Sequence, residues 1–203
     1  LTALATAYWL APGTPGSPGT PGNRGAPGSP ALARTVAELH HQQGTIESAI
    51  TWYRRAVDDR KSPPPAWRLR LAELLVAGEQ HREARDVLRD LRDVDGVDAA
   101  AVHRWLGHAE RAIGSDEAAA EAFRDAIDAG LRDPDVLHFV VHEALETGDS
   151  DVLRDHLPRF EAAAPVTLAT TQTLVLTWLE LDEPDRALRA VRRYVERAGL
   201  DTR

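Results

Sequence analysis

Two stretches of this chain decide its fold, Gly44-Thr-Ile-Glu-Ser-Ala49-Ile-Thr-Trp-Tyr53-Arg-Arg-Ala56 and Gly114-Ser-Asp-Glu-Ala-Ala119-Ala-Glu-Ala-Phe123-Arg-Asp-Ala126. In both, Gly is followed after five residues by Ala, after four more by an aromatic, and after three more by Ala. Offsets of four and seven put Ala, aromatic and Ala on one helix face. The glycine suits the end of the preceding helix, where a left-handed residue closes the turn without a Cβ clash.

The frame recurs between and beyond these copies. The small or apolar residue after each turn is Ala49, Ala84, Ala119, Leu153 and Ala187, with steps of 35, 35, 34 and 34. The turn residues Gly44, Gly78, Gly114, Gly148 and Asp182 step by 34, 36, 34 and 34. Pro65, Pro134, Pro165 and Pro184 mark first helical turns, where a missing N–H does no harm, and Asp133 and Glu183 precede two of them as capping groups. Together these predict helices near 31–43, 46–60, 66–77, 81–94, 98–113, 116–129, 134–147, 150–162, 166–181 and 184–198. Pro158 is expected to disturb its helix by removing the donor to the residue-154 carbonyl.

A repeat of this length resembles the tetratricopeptide repeat (TPR) family, whose unit is a helix–turn–helix of about 34 residues. The third copy matches best, through Leu106, Gly107, Gly114, Ala119, Phe123 and Ala126. The first matches through Gly44, Ala49, Tyr53 and Ala56, with Ala33 where the family often has Trp. The second keeps Leu71, Ala72 and Ala84, with Leu88 and Leu91 at the last two signature positions. In the fourth, Leu153, Leu157 and Phe160 stand in, and in the fifth Leu174, Trp178 and Ala187. The resemblance implies an all-α fold, a right-handed α-solenoid of about five TPR-like antiparallel helix pairs over 31–203. A lone pair cannot bury its apolar face, so small residues let neighbouring hairpins approach and stack.

Composition agrees with that class. Of 203 residues, 43% are hydrophobic and 28% charged, with Ala, Leu, Arg and Glu prominent, all good helix formers. The formal net charge is −8, and all 32 acidic residues follow residue 30. An acidic body argues against nucleic acid as a partner, because phosphate binding needs a basic surface. With no cysteine, thiolate zinc sites, disulfides and cysteine nucleophiles are excluded.

The N-terminal region reads differently. Residues 1–11 are apolar but too short to span a bilayer, which takes about 20 residues. They are expected to be the end of an upstream domain, the alternative being the tail of a truncated anchor or signal. Residues 12–30 are a Pro/Gly-rich flexible linker, with glycines at every third position from Gly13 to Gly28. The expected location is cytoplasmic, with any membrane association arising only through this region.

If the resemblance holds, certain first-helix positions face a concave groove. Carried over singly, these are Arg34, Glu38 and His41, then Leu69 and Glu73, then Arg104, His108 and Arg111, then His138 and His142, and finally Gln172 and Leu176. The expected function is a protein–protein interaction scaffold that holds a peptide or helix of a partner there. An acidic or C-terminal peptide is the expected ligand, with Arg104 and Arg111 as carboxylate partners; the alternative is a merely solvated face. Glu38 and Glu73 stand where the family's carboxylate clamp has neutral Asn, so a chaperone-tail receptor is not expected. His138 and His142 share a helix face but lack a clear third ligand, so no metal is expected. No nucleophile–base pair, phosphate loop or catalytic carboxylate pair is recognisable, so neither an enzyme nor a cofactor is expected. The alternative function is a regulatory or substrate-docking module of a larger enzyme whose catalytic domain lies upstream.

Overall fold

The computed structural model describes residues 30–58 and 60–199. The apolar segment 1–11 and the Pro/Gly tether through residue 29 lie outside the described residues. Among the described residues there are ten α-helices and no strand. They fall into two compact units that divide between Ile113 and Gly114.

The first unit contains α1 (Pro30–Gln42), α2 (Ile46–Asp58), α3 (Pro65–Ala77), α4 (His81–Arg89) and α5 (Ala99–Ile113). The second contains α6 (Asp116–Asp128), α7 (Pro134–Thr147), α8 (Ser150–Ala163), α9 (Leu168–Glu180) and α10 (Pro184–Ala198). Within each unit every helix packs on the next in chain order, and α5 also meets α3 as α9 meets α7. Short turns make successive helices antiparallel, and the skip contacts stack one hairpin on another.

The frame residues supply the core. Ala49, Ala84, Ala119 and Leu153 are fully buried, and Tyr53, Phe123 and Phe160 are buried behind them. In the second unit Phe123, Leu153, Leu157, Phe160, Leu174 and Trp178 belong to one apolar cluster. Each such large side chain contributes about 1.5–3 kcal/mol relative to exposure. An alanine between them keeps the helices close enough for that contact.

Helix ends follow local chemistry. Asp133 caps α7 by accepting from the Asp135 N–H at 3.0 Å, with Pro134 at the first helical position. Asp149 caps α8 through Val152 at 3.1 Å. Glu183 makes no side-chain cap, its extra methylene being a poorer fit than Asp. Three expectations need correction. Helix α9 starts at Leu168 and not beside Pro165, because Thr167 and Thr170 form a reciprocal capping box there. Helix α4 stops at Arg89 and not at 94; Leu91, Arg92 and Val94 each donate to the residue three back, a tighter winding suited to the Asp- and Gly-containing stretch that follows. Pro158 does not break α8, which runs on to Ala163; the ring and Arg154 both lie exposed, where water can satisfy the freed carbonyl.

The turns also differ in one instructive place. Gly114 and Asp182 take the left-handed conformation at φ 88° and 57°. At the second turn, Gly78 does not: its φ is −92°, and Glu79 is the left-handed residue at φ 59°. Gly78 is crowded instead: a Cβ there would stand 2.6 Å from Cδ1 of the fully buried Ile50, which would have to shift.

Candidate functional site

Two of the first unit's predicted positions, Glu38 on α1 and Glu73 on α3, are brought together through Arg70, with Trp105 of α5 beside them. On α1, Arg34, Glu38 and His41 recur at helical spacing, flanking the stripe of buried Ala33, Val36 and Ala37. Glu38 is half-buried and accepts from the Tyr53 hydroxyl at 3.0 Å and from Arg70 Nη2 at 3.1 Å. Arg70 also reaches Glu73 Oε2 through Nη1 at 2.7 Å. Glu73 in turn accepts from the Trp105 indole N–H at 3.1 Å. One chain of hydrogen bonds therefore runs Tyr53–Glu38–Arg70–Glu73–Trp105, across α2, α1, α3 and α5.

The electrostatics follow. Burial pushes the Glu38 carboxyl up, but hydrogen bonds from Arg70 and Tyr53 and the Arg70 charge outweigh it, so it titrates below the ordinary carboxylate range. The Tyr53 hydroxyl is pushed up, first by burial and then by its bond to Glu38. The Arg70 guanidinium is held more firmly protonated by Glu38, against the cost of burial.

The remaining residues frame this network. Arg104 lies with Cζ 5.0 Å from the Trp105 ring centre, and the His108 ring is 5.6 Å from the same indole. Arg34 stacks on Trp67 at 5.5 Å. Arg111 is exposed one turn beyond His108. Leu69, expected on this face, is buried instead, because α3 uses it with Leu71, Ala72, Leu74 and Leu75 to fill the interior. Arg70 and the polar roles of Tyr53 and Trp105 escaped the sequence. Their partners lie up to 32 residues away, and both aromatics sit at helical spacing that reads as core. A signal existed nonetheless: Glu38 and Glu73 are 35 apart, as are Arg70 and Trp105, so one inter-repeat contact is made twice.

In the second unit His138 lies between His142, ring centres 6.2 Å apart, and Phe160 at 5.5 Å. Its Nε2 is 3.3 Å from Thr173 Oγ1 on α9, the helix that also exposes Gln172 and Leu176. Burial, then the charge of His142, lowers the His138 pKa. His142 is exposed, 3.8 Å from Glu146. No cluster of three or more His, Cys, Asp or Glu is placed to hold a metal among the described residues. A concavity of about 610 Å3 in the second unit, beside Ile127, Leu137 and Ala163, is bordered by the Arg159–Asp128 pair and contains none of these positions.

A tetratricopeptide repeat family model matches residues 69–134, which span α3 to the start of α7 and include Glu73, Trp105 and the best-matching copy. That stretch, and not the chain as a whole, matches the tetratricopeptide repeat model. Solved TPR structures share the fold over most of the chain's length. MamA is 17% identical with a TM-score of 0.65, covering 83% of this chain and 91% of MamA. PilF of Pseudomonas aeruginosa is 13% identical with a TM-score of 0.67, covering 98% of this chain and 83% of PilF. YrrB, described as a TPR protein with an unusual peptide-binding site, is 15% identical with a TM-score of 0.62, covering 81% and 84%. No curated protein matches the sequence. Among the described residues, no helix is long and apolar enough to cross a membrane.

Proposed function

We propose that the α1–α3–α5 face holds an acidic or C-terminal segment of a partner protein, and that the chain is a non-enzymatic interaction scaffold. The observation that carries this is the position of Arg70. By pairing with both Glu38 and Glu73 it offsets the two carboxylates that would repel an acidic ligand. Four arginines, at 34, 70, 104 and 111, then face two glutamates on a chain whose formal net charge is −8. Such a local reversal of sign steers acidic segments toward the face. Arg104 and Arg111 are one helical repeat of seven residues apart and form charge-assisted hydrogen bonds to ligand carboxylates. Trp67 and Trp105, each beside an arginine, supply flat apolar surface between the charges. The peptide-binding site ascribed to YrrB supports the reading at the level of fold alone.

The test uses Asp/Glu-rich peptides with free C-terminal carboxylates, labelled and followed by fluorescence anisotropy against the full chain. Arg104→Ala with Arg111→Ala is expected to weaken binding at least about tenfold, as loss of charge-assisted bonds should. Equal affinity of the variant and the parent would remove the proposal.

A further inference from the structure

Every large apolar side chain that stands exposed among the described residues is on the hairpin α9–α10: Leu168, Leu176, Leu179, Leu188 and Val191. On α10, Leu188 is 48% exposed and Val191 38%. Their spacing of three residues puts them on one helix face.

Val191 stands four residues after Ala187, the place taken by Tyr53, Leu88, Phe123 and Leu157 in the earlier copies. All four of those are at most 2% exposed. The second unit shows how such a position is covered. Leu157 and Phe160 of α8 share a core cluster with Leu174 and Trp178 of α9, the first helix of the following pair. No described helix does the same for α10.

The border of the face is basic. Helix α10 carries Arg186, Arg189, Arg192, Arg193 and Arg197 against Asp185 and Glu196. Arg186 pairs with Glu183 and stacks on Trp178, and Arg193 donates to the Glu161 carbonyl. Arg189 and Arg192, which follow Leu188 by one and four residues, have no ionic partner among the described residues.

We propose that the Leu188–Val191 face of α10 docks an amphipathic α-helix of a partner protein, with an apolar stripe bordered by Asp or Glu. The shape follows from α9, which covers α7 and α8 as the docked helix covers α9 and α10. The charge follows from Arg189 and Arg192. A second copy of α10 is the wrong occupant, since it would bring its five arginines against these five.

The probe is a labelled helical peptide with leucines at helical spacing bordered by glutamates, alongside a counterpart bordered by lysines. Both are titrated with the full chain by fluorescence anisotropy. The glutamate peptide is expected to bind. Leu188→Glu, and separately Arg189→Glu with Arg192→Glu, are each expected to weaken it at least about tenfold. All titrations are made in the Arg104→Ala, Arg111→Ala background, which removes acidic-peptide binding at the first-unit face and so reports the α10 face alone. The charge-reversal variant alters only exposed side chains, so it retains the fold and reports even if Leu188→Glu does not. Equal binding of the two peptides, or unchanged affinity in the charge-reversal variant, would overturn the proposal. So would a dimer of the parent that Leu188→Glu converts to monomer in light scattering.

Discussion

Arg70 has its guanidinium between two glutamates, Glu38 and Glu73, and both are less than one-third exposed. Removing it leaves two half-buried carboxylates facing each other without a donor. Arg70→Ala is therefore expected to cost about 1–2 kcal/mol in urea denaturation, the lower part of the usual range because solvent screens the pair. Arg70→Lys should restore only part, since an ammonium cannot serve both carboxylates with a planar fork. His156 presents the opposite situation: a buried imidazole whose Nδ1 has no partner among the described residues. Burial is the leading cause of its lowered pKa. A depressed folded-state pKa means that the unfolded chain binds the proton more readily, so stability is present above the ordinary value of 6.5 and falls as pH drops through it. Thermal melts between about pH 7.5 and pH 5 should show that loss, and His156→Leu should reduce it. Some dependence should persist, because His138 is shifted in the same direction. At this scale the sequence placed Glu38, Glu73 and His138 on their helix faces. It could not supply their partners, which depend on how three helices meet.

The second turn shows what a periodic glycine can mean at the scale of the element. Gly78 falls in register with Gly44 and Gly114, yet the left-handed backbone is at Glu79. The register thus located a position whose requirement is the approach of α2, through Ile50, to the end of α3. Two substitutions separate these roles. Glu79→Gly should raise stability by about 1 kcal/mol by relieving a left-handed residue with a Cβ. Gly78→Ala should lower it by about 1–3 kcal/mol through overpacking against a fully buried isoleucine. Denaturation midpoints measure both. Capping was legible where Asp133 precedes Pro134, but not at Thr167, whose partner Thr170 lies inside a run of threonines without an obvious start. The expected damage from Pro158 failed because helix face, and not residue type, decides whether a freed carbonyl is satisfied.

For the whole molecule, most of the helix order was legible, since a small or apolar residue returning every 34 or 35 positions names both the hairpin and its buried face. The division after Ile113 was not, because the frame passes through Gly114 without interruption. Nor was the exposure of Val191, whose frame position is buried in the four earlier copies. Ala84 and Ala119 are small because adjacent helices press on them, in the first and second unit respectively. Urea denaturation of Ala84→Leu and Ala119→Leu, beside Ala77→Leu at an exposed helix end, tests it directly. Each buried variant should lose about 2 kcal/mol by overpacking, while Ala77→Leu stays within about 0.5 kcal/mol of the parent. Buried variants as stable as Ala77→Leu would contradict the account.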